Sequence, residues 1–189
     1  MTARLSPPVS LDELRHLVDR EEIHTVEVAA PDTQGHLRGK RVPAQRFVDR
    51  IAHGALNIAD AMFVFDMQND LPDNEFVNMD SGYLDCRLVP DLSSIRVFTH
   101  RPGYAVVYAD ASTPEGEPHP LAPRNVLARQ LARCRALGVE PVVATELEFY
   151  LCRQGWLPAQ SHIQYSSLTD GLHLEAVLKE MRDALLGAG

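Results

Sequence analysis

The 189-residue sequence predicts an α+β chain in two parts. Three observations carry this. Short stretches with the two-residue alternation of strands recur at "IHTVEVAA", "IRVFTH" and "YAVVYAD". Stretches with helical periodicity flank them at "SLDELRHLVDRE" and "APRNVLARQLARCRALG". A proline-rich stretch, "ASTPEGEPHPLAP", divides the chain and sets the expected boundary between residues 10–112 and 113–189.

Residues 1–9 read as a loose arm. Ser10 with Glu13 three residues on is a capping box, and Leu11, Leu14, Leu17 and Val18 form the apolar stripe of the helix it opens. In the strand that follows, Ile23, Thr25 and Glu27 face one way and His24, Val26 and Val28 the other. "PDTQGHLRGKRVP" reads as a turn and return strand, with Gly35 supplying the turn's conformational freedom. "AQRFVDRIAHG" is a short helix stopped by Gly54. Residues 55–94, rich in Asp, Asn, Pro and Gly, read as a long loop of the kind that carries function. "IRVFTH" and "YAVVYAD", split by "RPG", form a hairpin.

After the proline-rich stretch, Pro123 suits a first helical turn. Val126, Leu127, Leu131, Cys134 and Leu137 make the apolar face, and Gly138 ends the helix. A strand follows at "GVEPVVATELEFYLCR". A loop from Cys152 to Asp170 holds Trp156 and Tyr165, which could shape a pocket but more simply fill a core or interface. "GLHLEAVLKEMRDALLGAG" is a final amphipathic helix.

Composition narrows the function. The apolar fraction of 45% suits a globular chain. A net charge of −8 with no basic block argues against a nucleic-acid partner. No apolar run reaches membrane-spanning length and no signal peptide opens the chain, so a cytoplasmic location is expected. The three cysteines, Cys86, Cys134 and Cys152, form no C-x-x-C pair, and the eight histidines show no ligand spacing.

The stretch that asks for chemistry is "ATELEFYL". In a strand Glu146 and Glu148 lie on one face, about 6.7 Å apart along the axis. Val143, Thr145, Leu147, Phe149 and Leu151 then point to a core on the other face. A solvated strand face explains such alternation by itself. Yet Val142 and Ala144 share the glutamates' face, which is therefore not simply wet. Paired carboxylates suit hard divalent cations, and two such metals about 3.5–4 Å apart can clamp a transferring phosphoryl group.

Four stretches together resemble the glutamine synthetase family: "DTQGHLRGKRVP", "DCRLVPDLSSIRV", "VVYADASTPEGEPHPLAPRNVLARQ" and "ATELEFYL". Their order and spacing agree over residues 10–189. The resemblance implies a β-grasp-like N-terminal domain followed by the first helix–strand–helix segment of a catalytic domain. It implies an ATP-dependent carbon–nitrogen ligase joining the γ-carboxylate of glutamate to ammonia or a larger amine, with Mg²⁺ or Mn²⁺. It implies a ring-shaped homo-oligomer in the full-length form. Glu146 and Glu148 match the two metal-binding glutamates of the family's strand. Asp66, in "FDMQND", matches the aspartate of the family's amine-binding "F-D-G-S-S" loop, although the Gly-Ser-Ser is gone. That departure opens the choice of amine, and an ordinary turn aspartate remains the alternative. The family's other metal glutamates, its metal histidine and its substrate arginines have no counterpart before "LLGAG". The chain is therefore expected to be an N-terminal portion, inactive alone. The rival expectations are an inactive assembly or regulatory partner of full-length relatives and an amine sensor without chemistry.

Arg38, Lys40 and Arg41 could meet phosphate, but charges at a hairpin edge explain them as well. Asp85 and Asp91 could bind metal, with turn and capping roles as the alternative.

Overall fold

The computed structural model describes residues 8–80, 82–98, 100–160, 164 and 166–189. Tyr165, one of the two aromatic pocket candidates, lies outside them. Helix α1 (Leu11–Asp19) opens on the expected capping box: the Ser10 amide donates to Glu13 at 2.7 Å, and the Glu13 amide donates to Ser10 Oγ at 3.2 Å. Leu14, Leu17 and Val18 are buried, as their spacing predicts. Val9, expected in a loose arm, is instead a core residue whose amide donates to the Ile95 carbonyl.

The sheet has six strands: β1 (Ile23–Pro31), β2 (Leu37–Pro43), β3 (Leu56–Ala59), β4 (Asp85–Pro90), β5 (Arg96–Val97) and β6 (Gly103–Ser112). Its order is β2-β1-β6-β4-β3, with β5 also on β6. The β1–β6 pair is parallel and the other pairs are antiparallel. This is a mixed α+β sheet. Its core side takes Val26, Val28, Ala105, Val107 and Leu88. Against it pack α1 and the helical stretch Ala44–Ile51, which starts as the short helix α2 (Ala44–Arg46) and widens into a π-turn over Phe47–Ile51.

Two expectations change here. The register of β1 on β6 shifts between Ile23 and Thr25. An extra residue there returns Ile23 to the core with Val26 and Val28, and His24 turns outward instead of sharing their face. Residues 55–94 are not one loop. They contain β3, a 3₁₀ turn at Asp60–Phe63, β4 and a second 3₁₀ turn at Leu92–Ser94. The irregular parts are 64–80 and 82–84.

The proline-rich stretch is docked rather than free. Ser112 bridges Pro118, and His119 and Ala122 are buried. Helix α3 (Pro123–Ala136) then starts against β6. Asn125, 8% exposed, donates to the carbonyls of Ala111 at 2.7 Å and His119 at 3.0 Å. Arg124 reaches Asp110 at 2.8 Å and Asp91 at 2.7 Å. Asp91 also caps the 3₁₀ turn through the Ser93 amide, which settles its role as a cap. The apolar face expected on α3 is not covered: Val126, Leu127 and Leu137 are exposed, with Leu131 and Cys134 only partly shielded. Helix α4 (Glu175–Ala188) closes the described chain. No described helix is long and apolar enough to cross a membrane.

Candidate active site

Asp66 sits in the irregular stretch after the first 3₁₀ turn and is exposed. Its Oδ1 accepts from the amides of Gln68 at 2.8 Å and Asp70 at 2.9 Å. The Asp66 and Asp70 backbones also pair, and Asn69 adopts φ +62° to close the turn. One oxygen thus does the work of a turn aspartate. No hydrogen bond to Oδ2 is present among the described residues, so this oxygen is left for solvent or a cationic ligand.

The loop is fastened to the β1–β2 hairpin. Asp32 is 3% exposed and accepts from the amides of Gln34 and His36, each at 2.9 Å. Its second oxygen accepts from Arg38 Nε at 2.6 Å. Burial pushes the Asp32 carboxyl up, but the Arg38 guanidinium and the two amides outweigh it and hold the group below the usual carboxylate range. Arg38 also donates to Asn69 Oδ1 at 2.9 Å, and Gln34 Nε2 donates to the Phe65 carbonyl at 2.8 Å. Arg41 is committed to Glu27 at 2.8 Å. Two of the three hairpin cations are therefore paired with acids rather than presented as a phosphate cluster.

Glu146 and Glu148 are both exposed, and the strand expected to carry them is not a strand of the sheet. Residues 139–150 form no ladder. Val142 is 96% and Leu147 82% exposed, and Val143 and Phe149 also face solvent rather than a core. The physical reason is pairing. A strand is fixed by its neighbours' hydrogen bonds, and no described strand lies alongside this segment. Trp156, expected to be buried, is 89% exposed with φ +61°. A cavity of about 610 Å³ beside the segment is lined by Phe149, Tyr150, Leu151, Leu172 and Leu178, and neither glutamate faces it.

The two carboxylates have the right chemistry for a hard cation but not the number. Such an ion takes about six oxygen ligands. Among the described residues no group of three or more His, Cys, Asp or Glu side chains is arranged to hold a metal. Nor does any hydrogen bond or ion pair among them join Asp66 to either glutamate. Asp85 lies at the exposed start of β4, opposite Ala59, outside any such group.

Sequence reasoning missed two buried polar features. One is the Asp32–Arg38 pair, although both residues stand in the hairpin motif already singled out. The other lies under the proline-rich stretch, where Asp60 Oδ1 and His119 Nδ1 are buried with no hydrogen-bond partner among the described residues. Burial pushes the Asp60 carboxyl up and the His119 imidazole down, although the two groups attract. Cys86, nearby on β4, is buried, and burial pushes its thiol up to about 11, away from the reactive thiolate form.

Comparison with known proteins adds the decisive observation. The chain is 34% identical to the γ-glutamylethanolamide synthetase of Streptomyces coelicolor, over 97% of this chain and 42% of that protein. It is 35% identical to the glutamate–isopropylamine ligase of a Pseudomonas species, over 74% of this chain and 30% of that one. The chain belongs to the glutamine synthetase family.

Among solved structures, the GmaS/ADP complex matches with TM-score 0.50 and 26% identity, over 66% of this chain and 26% of that one. A glutamine synthase homolog matches with TM-score 0.53 and 21% identity, over 61% and 27%, which supports the fold alone. No family model matches the sequence. The chain spans less than half the length of the curated relatives named here.

Proposed function

We propose that residues 10–189 form the amino-terminal portion of an ATP-dependent glutamate–amine ligase, inactive when assayed alone. In this reading residues 10–112 are a β-grasp-like domain and 113–189 begin the catalytic domain. The observation that carries it is the 34% identity to a γ-glutamyl amide-forming enzyme along 97% of the chain. The "FDMQND" loop, without Gly-Ser-Ser, supports an amine larger than ammonia.

In the proposed reaction, the γ-carboxylate of glutamate is phosphorylated by ATP and the amine displaces phosphate. Two anionic groups, the γ-carboxylate and the ATP triphosphate, must meet, so the repulsion has to be offset by cations. Glu146 and Glu148 would supply oxygen donors to Mg²⁺ or Mn²⁺, with further ligands from other elements. The bound ions would stabilise charge on the transferring phosphoryl group. Asp66 Oδ2 would attract the cationic amine, which must give up a proton before its nitrogen attacks. The full-length enzyme is proposed to be a cytoplasmic, ring-shaped homo-oligomer.

A second reading, an inactive assembly partner of full-length relatives, draws on the exposed apolar stretch at 139–150 and the two-donor metal pair.

The test is product formation from glutamate, ATP and a panel of amines, across a Mg²⁺ titration. The 189-residue chain should make no amide by itself; ligation by the pure chain would overturn the portion reading. Joined to the carboxy-terminal remainder of a family ligase, it should turn over. Glu146→Gln and Glu148→Gln should each abolish that turnover, and Asp66→Asn should raise the amine KM. Wild-type metal dependence in both glutamine variants would return the pair to a solvated face.

A further inference from the structure

We infer that Arg38 is a positioning residue that fixes the Asp66 loop, and with it the direction from which an amine is met. The inference rests on the amine-facing role of Asp66 proposed above and adds how that carboxylate is held.

The described residues of 64–80 have no regular structure, so hydrogen bonds to other elements must set where Asp66 stands. The two residues that bracket its turn are both tied to one hairpin. Ahead of Asp66, the Phe65 carbonyl accepts from Gln34 at 2.8 Å, and the Arg38 guanidinium lies over the Phe65 ring at 5.4 Å. Beyond it, Asn69 Oδ1 accepts from Arg38 at 2.9 Å. Arg38 is itself anchored at 2.6 Å by the buried Asp32.

Asp32 in turn is set by the amides of Gln34 and His36 in the hairpin turn, and His36 Nδ1 lies 3.6 Å from its second oxygen. One guanidinium therefore spans a buried anion, a loop amide and an aromatic face. A planar fork with donors pointing in different directions can do this, whereas an ammonium is a single point charge. The hairpin itself does not depend on the bridge. Its ladder runs in unbroken register from Thr25↔Pro43 to Pro31↔Leu37.

The experiment measures amide ¹⁵N order parameters and hydrogen exchange at Gln68, Asn69 and Asp70 in the 189-residue chain. Arg38→Gln, Arg38→Lys and Arg41→Gln are compared with the native chain. Arg38→Gln should lower the order of residues 66–70 below about 0.6 while Val26 and Val107 keep rigid values. Arg38→Lys should restore part of it, and Arg41→Gln should change nothing at the loop. Unchanged order in Arg38→Gln overturns the inference. So does loss shared equally with the sheet, which marks a general structural role, or equal loss in Arg41→Gln.

In the completed ligase, Arg38→Gln should raise the amine KM by roughly tenfold, with the KM for ATP little changed, because a misplaced group weakens orientation rather than phosphoryl chemistry. An unchanged amine KM in Asp66→Asn, with the loop still loosened by Arg38→Gln, would remove the amine role of Asp66 and leave the positioning intact.

Discussion

Asn125→Ala should release helix α3 from the sheet without unfolding the sheet. The wild-type amide makes two buried bonds, at 2.7 Å to the Ala111 carbonyl and 3.0 Å to the His119 carbonyl. Neither carbonyl is orphaned by the change, because Ala111 also accepts from the His119 amide at 2.9 Å and His119 from the Ala122 amide at 3.3 Å. The loss is therefore two net hydrogen bonds plus a small void, about 2–3 kcal/mol. Helix α3 has no side-chain N-cap and exposes its apolar face, so beyond the Arg124 ion pairs little else resists opening. At about 1.4 kcal/mol per tenfold, amides of residues 126–137 should exchange roughly 30- to 150-fold faster. Peptide-resolved exchange mass spectrometry reads this directly. Arg124→Gln, whose ion pairs are partly exposed, should give a smaller effect of about 1 kcal/mol. An unchanged α3 in Asn125→Ala, or equal loss across β1 and β6, would refute the reasoning that one buried amide clamps α3 to the sheet.

Two further substitutions test the buried acids by pH. The Asp32 carboxyl is held below its ordinary value, so its stabilisation is complete above the usual carboxylate range and is lost as pH falls through the folded-state value. Asp32→Asn should cost about 1–3 kcal/mol in urea unfolding at pH 7, less than a fully buried pair because Arg38 can turn to water, and the deficit should close in acid. A deficit that does not vary with pH would exclude the ion pair as its source. Asp60 is raised by burial, with His119 drawing it down and Asp85 pushing it up. Its contribution is present in acid and lost as pH rises through the folded-state value. Asp60→Asn should therefore be the more stable protein at pH 8, by about 1 kcal/mol, with the gap shrinking towards pH 4 in thermal melts. A less stable variant at pH 8 would show the charge to be compensated.

What could be read from the sequence was what local chemistry decides. The Ser10–Glu13 box, the turn at Gly35 and the stop after α3 each depend on residues a few positions apart, and each is present. The misses depend on distant partners. "LNIA" is only four residues long and "DCRLVP" follows a turn-rich run; they become strands because β3 pairs with β4 and β4 with β6, at Leu88↔Ala111. Val9 is buried because Ile95 meets it. The slip at His24 is a bulge set by β6, invisible in β1 alone. Asp32 was visible as a motif residue, but its burial and its link to Asn69 are tertiary facts.

The glutamate pair shows the same division at the level of function. Its residue types could be read at once, since alternating carboxylates on an apolar background are chemically distinctive. Its geometry could not, because period-two alternation becomes a face only when a ladder fixes it. In the described chain residues 139–150 join no strand ladder, and Val142, Val143, Leu147 and Tyr150 stand in water. Contiguous apolar exposure of that kind is a mark of interaction surfaces, and in the proposed ligase a further element would cover it. Until it is covered, each carboxylate keeps its own solvation and its own rotamers, and a divalent ion gains little by exchanging water for two mobile oxygens. Covering the apolar face would hold the strand straight, bring Glu146 and Glu148 to one side and lower the local dielectric at the same time. Under the proposed function, metal affinity and strand formation are then a single event, and the same two glutamates are nearly silent in the 189-residue chain and decisive in the ligase proposed above.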